Sequence, residues 1–125
     1  MTAAVPQKAS SLTSADPDRY DGTYQGRMCI DSVGTSKQTC RPVTVAAKQG
    51  TVSGSFLSGA SGKRSYLKGT IAPEGAVKLT LDAFNPNDRP ITGTMTGTWS
   101  DDTIATSGTW HHNGVQVKAI WKREL

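Results

Sequence analysis

Two adjacent pairs of side chains have the types that bind metals or perform acid–base catalysis: His111-His112 and Asp101-Asp102. A tetrahedral metal site needs several ligands that converge on one point, whereas adjacent strand residues point to opposite faces. Paired catalytic carboxylates need a cleft that perturbs their pKa values. Both pairs lie beside turn residues, so we expect solvated polar turns. The sequence therefore predicts no metal site and no catalytic residue.

Gly62-Lys63 resembles the end of a phosphate-binding loop. That motif requires a glycine five positions before Gly62 and a Ser or Thr after the lysine, at the start of a helix. Leu57 and Arg64 occupy those two positions. We therefore expect no nucleotide and no other cofactor, and we predict that the protein is not an enzyme.

Binding is the chemistry that remains, and two sets of residues are candidates for it. Lys63, Arg64 and Arg89 lie in the two longest connections, where binding residues are often found, and they suit an anionic macromolecule. Ordinary surface composition is the more common explanation of such residues. The tryptophans suit an apolar site inside a β-structure: Trp99, Trp110 and Trp121. The formal charge of +4 demands no specific nucleic-acid partner.

Short alternating segments separated by turn residues must position these candidates. Hydrophobic periodicity of 3.6 residues is missing, whereas Val, Ile, Thr and Gly are frequent, so the class is all-β. Turn sequences such as Lys48-Gln49-Gly50 and Asn113-Gly114 separate consecutive hairpins. The segments predicted as strands are 23–31, 39–47, 51–57, 66–71, 76–84, 91–99, 103–110 and 115–122.

Alternation assigns the apolar side chains of every strand to one face. In the sixth segment Ile91, Met95 and Trp99 share a face, and four threonines occupy the other. We expect no Lys, Arg, Asp or Glu on the inward face. Closure into an eight-stranded antiparallel up-and-down barrel removes both sheet edges, and a two-sheet meander sandwich is the alternative. We expect the inward rings to fill the interior, leaving little void.

Cys29 and Cys40 are the two cysteines of the chain. Parity places both on the outer faces of the first two strands, and a hairpin register that sets them opposite each other permits a disulfide. A disulfide indicates an oxidising compartment. No apolar run is long enough for a membrane-spanning helix. Residues 1–19 contain few large apolar groups, so we expect a flexible N-terminal tail before a single domain of residues 20–125.

Several segments are similar to those of a known group of proteins. They are Tyr20-Asp-Gly-Thr-Tyr-Gln-Gly26 with Cys29, Gly50-Thr-Val-Ser-Gly-Ser-Phe56, Leu67-Lys-Gly-Thr-Ile71 and Trp121-Lys-Arg123. The chain resembles small exported bacterial β-domains, common in alphaproteobacteria, that open with a DGTY-x-G strand. The resemblance implies a periplasmic or secreted location and no established activity. Avidin-like and lipocalin-like barrels share only the coarse architecture.

The sequence is compatible with two binding functions. The first is a non-enzymatic exported module that contacts a macromolecule through its surface or loops, and the basic loop residues suit an anionic partner. The second is a carrier of a small apolar ligand, with a site inside the barrel or at its mouth. Among these two, the sequence favours the first, because the predicted interior is full.

Overall fold

The chain forms a closed antiparallel barrel of eight strands that follow one another in sequence order. The computed structural model describes residues 17–31 and 38–124. Because β1 pairs with β8 as well as with β2, the barrel prediction is confirmed and the sandwich alternative is wrong. The strands are β1 Gly22–Asp31, β2 Gln38–Lys48, β3 Thr51–Ser58, β4 Lys63–Ile71, β5 Ala76–Phe84, β6 Pro90–Ser100, β7 Thr103–Trp110 and β8 Gln116–Arg123.

The barrel core is built around Trp121, which is fully buried. Its indole Nε1 donates a hydrogen bond of 3.0 Å to the carbonyl oxygen of Val43 on β2. The ring passes over Gly26 of the intervening strand, where a Cβ atom would lie 2.6 Å from the indole Cδ1. Glycine at this position therefore lets β8 contact β2 through the interior. The predicted inward residues surround this centre.

One end of the barrel, hereafter the closed end, is covered by a short 3-10 helix, Pro17–Tyr20. The buried Tyr20 ring stacks edge-on against Trp99, at 4.9 Å between centroids, and its hydroxyl donates to the carbonyl oxygen of Pro73. Arg19 lies over both rings. Residues 17–19, which the sequence assigns to the tail, belong with Tyr20 to this helix. Residues 1–16 lie outside the described part of the chain.

Arg123 ties this helix to the strands at the closed end. Its guanidinium donates to the carbonyl oxygens of Arg19 and Asp21 and forms an ion pair with Asp102. Arg123 follows Trp121 by two residues, so it belongs to the inward face by parity. Its guanidinium lies at the barrel end, where the two carbonyl oxygens and the Asp102 carboxylate take the place of water as hydrogen-bond acceptors.

The predicted disulfide is present. Cys29 and Cys40 are direct partners in the β1–β2 ladder, and their sulfurs are 2.06 Å apart. The bridge is compatible with an oxidising, exported location. In the described residues, no helix is long and apolar enough to cross a membrane.

Replacing Tyr24 with phenylalanine is expected to destabilise the closed end. The buried hydroxyl donates to the Tyr20 carbonyl oxygen at 2.6 Å and accepts from Trp99 Nε1 at 3.0 Å. Tyr24→Phe leaves both groups unpaired, which costs about 1–3 kcal/mol of unfolding free energy. Urea unfolding measures this loss. Tyr66→Phe, at an exposed tyrosine, is the matched control and is expected to change nothing. Equal stability of the two variants would contradict this account.

The stability contributed by the Tyr24 hydroxyl depends on pH. Burial raises the pKa of the Tyr24 phenol above its ordinary value. Its neutral form therefore contributes stability that is complete below the pKa of the unfolded chain and is lost as the pH rises through the folded-state pKa. The wild-type protein should lose more stability in alkali than Tyr24→Phe does.

Removal of the disulfide is expected to lower the unfolding free energy by about 2–3 kcal/mol, because the bridge restricts the unfolded chain over a short loop. The measurement compares urea unfolding of wild type and of the Cys29→Ser, Cys40→Ser double variant. Wild type with added reductant should behave like the variant. A double variant as stable as the oxidised protein would show that the hairpin pairing alone sets the geometry.

Candidate functional site

The opposite end of the barrel, hereafter the mouth, contains a cavity of about 420 Å³. It is open to solvent and lies where β1, β3, β5 and β7 end and the even-numbered strands begin. Representative lining residues come from six of the eight strands and from the connections between them: Ile30, Arg41, Phe56, Ser58, Ala60, Ala83, Phe84, Asn85, Ile91, Trp110, His112 and Val115. We call this space the mouth cavity.

The walls of the mouth cavity are mainly apolar. Phe56, Ala83 and Trp110 are buried, and Ile91 and Val115 are partly buried against the same core. The expectation of a filled interior is therefore wrong at this end. The rings of Tyr20, Tyr24, Trp99 and Trp121 pack at the closed end and in the core. At the mouth, the rings of Phe56, Phe84 and Trp110 line the cavity without filling it.

One seam of the barrel does not close at the mouth. The β2–β3 ladder ends at the pair Thr44 and Ser55, although β2 begins at Gln38 and β3 continues to Ser58. Over the same stretch β2 remains paired with β1, and β3 with β4. We call the unpaired stretch, 38–43 on β2 and 56–58 on β3, the open seam.

Pro42 explains where the ladder stops. The carbonyl oxygen of Thr44 faces β3, because it lies 2.8 Å from the position of a Cβ atom built on Gly54. Alternate residues of a strand direct their backbone groups to the same neighbour, so the Pro42 nitrogen also faces β3. Continuing the register by two residues places Pro42 opposite Leu57. Proline has no N–H to donate there, so the next hydrogen bond of the ladder cannot form.

Arg41 occupies the open seam. Its Nη1 donates to the carbonyl oxygen of Leu57, the acceptor that the proline leaves without a ladder donor. Its guanidinium carbon lies 5.9 Å from the centroid of the Phe56 ring. Arg41 shares the parity of Val43, so the expectation of an inward face without charge is wrong. Alternation within the predicted strand 39–47 already places Arg41 on the inward face, two residues before Val43.

The connections around the mouth are held by short polar contacts. Asn85 Oδ1 accepts hydrogen bonds from the backbone of Asn87 and Arg89, which shapes the β5–β6 connection. Asp88 in that connection accepts from the amide and the hydroxyl of Ser61 in the β3–β4 turn. These hydrogen bonds, first that of the Ser61 hydroxyl, lower the pKa of the Asp88 carboxyl. One side of the mouth is thereby fixed by a loop-to-loop contact.

The two histidines point to different surroundings, as the alternation predicts. His111 lies on the outer threonine row, with its ring nitrogens 3.0 Å from Thr92 Oγ1 and 3.4 Å from Thr94 Oγ1. His112 lines the mouth cavity. Asp101 and Asp102 form the β6–β7 turn at the closed end, with positive φ at both residues. Within residues 17–31 and 38–124, no cluster of three or more potential metal ligands exists.

The residues proposed for binding from the sequence separate into three groups. Trp110 lines the mouth cavity, and Lys63 lies at the mouth with its Nζ 5.5 Å from the Phe84 centroid. Trp99 and Trp121 belong to the closed end and the core, so they are not part of this site. Arg64 lies on the outer surface beside Ser55, and Arg89 is exposed in the β5–β6 connection.

Comparisons with known proteins add no relative: no protein-family model matches the chain, and searches of curated proteins and of solved structures find no match.

The contact between Ser61 and Asp88 is expected to weaken in acid. The pKa of the Asp88 carboxyl is lower in the folded protein than in the unfolded chain. The contact therefore contributes its full stability above the unfolded-state pKa, and this stability is lost as the pH falls through the folded-state pKa. The Ser61 amide shift in NMR spectra should titrate with a midpoint below the ordinary aspartate value. Asp88→Asn should abolish that titration, and Ser61→Ala should raise the Asp88 midpoint. A midpoint at or above the ordinary value would contradict the assignment.

Proposed function

We propose that this protein is a non-enzymatic binding protein that holds a small, mainly apolar molecule in the mouth cavity. The observation that carries the proposal is an apolar cavity of about 420 Å³ at one end of a barrel whose other end is covered by Tyr20. Ligand sites in proteins commonly have volumes of about 300–1,000 Å³, apolar walls and a few polar groups. The mouth cavity fits each part of that description.

The polar groups of the cavity favour binding over catalysis. Ser58 and Thr39 carry hydroxyls on the cavity wall. The Ser58 hydroxyl accepts a hydrogen bond from the Phe84 amide and bonds to the Ser65 hydroxyl. Its partners are therefore structural ones. A nucleophile requires a neighbouring base within hydrogen-bond distance, and His112 is not a hydrogen-bond partner of Ser58 in the described structure.

The sequence favoured contact with a macromolecule, and the cavity reverses this order of preference. Lys63 and Arg64 are the first two residues of β4 and alternate between its faces, and Arg89 lies in the β5–β6 connection. A macromolecular partner at the loops stays a prediction that no contact in the structure tests. We retain the proposal of export to the periplasm or the exterior, supported by the disulfide.

Filling the cavity is expected to weaken binding. Ala83 is buried in the cavity wall, so Ala83→Trp should weaken the binding of a neutral apolar fluorescent probe, N-phenyl-1-naphthylamine, by about tenfold or more through loss of volume. Ala105→Trp on the exposed face of β7 is the matched control and should bind like wild type.

Two further measurements make this test decisive. Circular dichroism and thermal unfolding establish that both variants are folded. In wild-type protein, NMR shift changes should be concentrated at Phe56, Ile91 and Trp110. The proposal is wrong if the folded wild-type protein binds no apolar probe, or if Ala83→Trp and Ala105→Trp bind it equally.

A further inference from the structure

Arg41 is the side chain that distinguishes the mouth cavity from a simple apolar pocket. It is half-buried, faces the interior and lies in a wall formed otherwise by groups such as Phe56 and Ile30. In residues 17–31 and 38–124, Arg123 with Asp102 is the ion pair observed, and no carboxylate lies within ion-pair distance of Arg41. A guanidinium beside apolar groups without a carboxylate partner is costly unless its donors are satisfied.

From these observations we propose that the ligand of the mouth cavity is an amphiphile with an apolar body and one carboxylate, and that Arg41 binds the carboxylate. This inference rests on the proposed function and names the ligand class. A guanidinium presents five N–H donors in a planar fork that matches a carboxylate with two parallel hydrogen bonds. One donor is used on the Leu57 carbonyl oxygen, which leaves donors for a ligand.

The position of Arg41 also prepares it for this role. The Leu57 carbonyl oxygen and the Phe56 ring hold the guanidinium at the edge of the cavity before any ligand arrives. A charged group held in place loses less conformational entropy on binding than a free one. The apolar body of the ligand would then lie against Phe56, Ile91 and Trp110.

The other charges at the mouth are compatible with an anionic head group at Arg41. Asp31 also lines the cavity, but Arg41 pairs with Met28, so Asp31 lies three residues farther out, about 10 Å along β1. The Asp31 carboxylate accepts a hydrogen bond from Gln38 Nε2. Asp88 is occupied by Ser61, and Lys63 adds a positive charge above Phe84. Of these two cations, Arg41 is the one that lines the cavity itself.

The test compares three probes that share a decyl chain and differ in the head group: decanoate, 1-decanol and decyltrimethylammonium. Binding is measured by displacement of N-phenyl-1-naphthylamine from the wild-type protein, below the concentrations at which the probes aggregate. We expect decanoate to bind about tenfold or more tightly than decanol, the size of a charge-assisted hydrogen bond, and the cation to bind most weakly.

Arg41→Met removes the charge and keeps the apolar stem. In this variant decanoate should bind only as tightly as decanol, while decanol affinity stays within about twofold of wild type, because its contacts are apolar. Arg27→Met is the matched control, since Arg27 is an exposed arginine on β1 opposite Pro42. It should preserve the preference of the wild-type protein for decanoate.

Each outcome separates the two proposals. Decanol binding as tightly as decanoate in wild type, or equal losses for both probes in folded Arg41→Met, overturns the carboxylate inference and leaves the apolar site intact. Failure of every decyl probe together with the neutral naphthylamine overturns the proposed function itself. The head-group comparison uses only wild-type protein, so the inference is decided even if Arg41→Met does not fold.

Discussion

Pairing of β1 with β8 is the constraint on which the rest of the structure depends. It joins the first and last strands of the meander and converts the apolar face of a sheet into the interior of a barrel. Closure brings Trp121 onto Gly26 and within hydrogen-bonding distance of Val43 on the next strand. The core is thus held by contacts between residues that are far apart in the chain, and each end of the barrel needs a separate cover.

The two ends of the barrel are covered differently. At the closed end, Tyr20, Tyr24 and Trp99 form a chain of hydrogen bonds and ring contacts, and Arg123 donates to the Arg19 carbonyl oxygen of the covering helix. At the mouth, Phe56, Phe84 and Trp110 line an open cavity, and no helix in the described residues covers it. A barrel with one filled end and one open end has a single direction from which a small molecule can enter, and this asymmetry is the physical basis of the proposed function.

The open seam links backbone chemistry to the proposed specificity. Pro42 cannot donate to β3, so the ladder ends and the Leu57 carbonyl oxygen needs another partner. Arg41 supplies it and is thereby held at the cavity edge. A residue that restricts pairing and a neighbour that compensates for it together place a positive charge where an apolar wall begins. The polar group of the site is thus a consequence of how the barrel closes.

The sequence by itself determined the fold class, the strand order and the disulfide, because alternation, turn residues and parity are local properties that each hairpin expresses independently. The buried positions of Trp121 and Met95 follow from the same rule. Only the tertiary structure decided which tryptophan lines the cavity, where space remains inside the barrel, and that the helix with Tyr20 covers the closed end. Those features depend on height along the barrel axis and on strand stagger. The parity of a residue assigns only its inward or outward face. By this criterion Trp99, Trp110 and Trp121 are equivalent, and the closed barrel is needed to tell their positions apart.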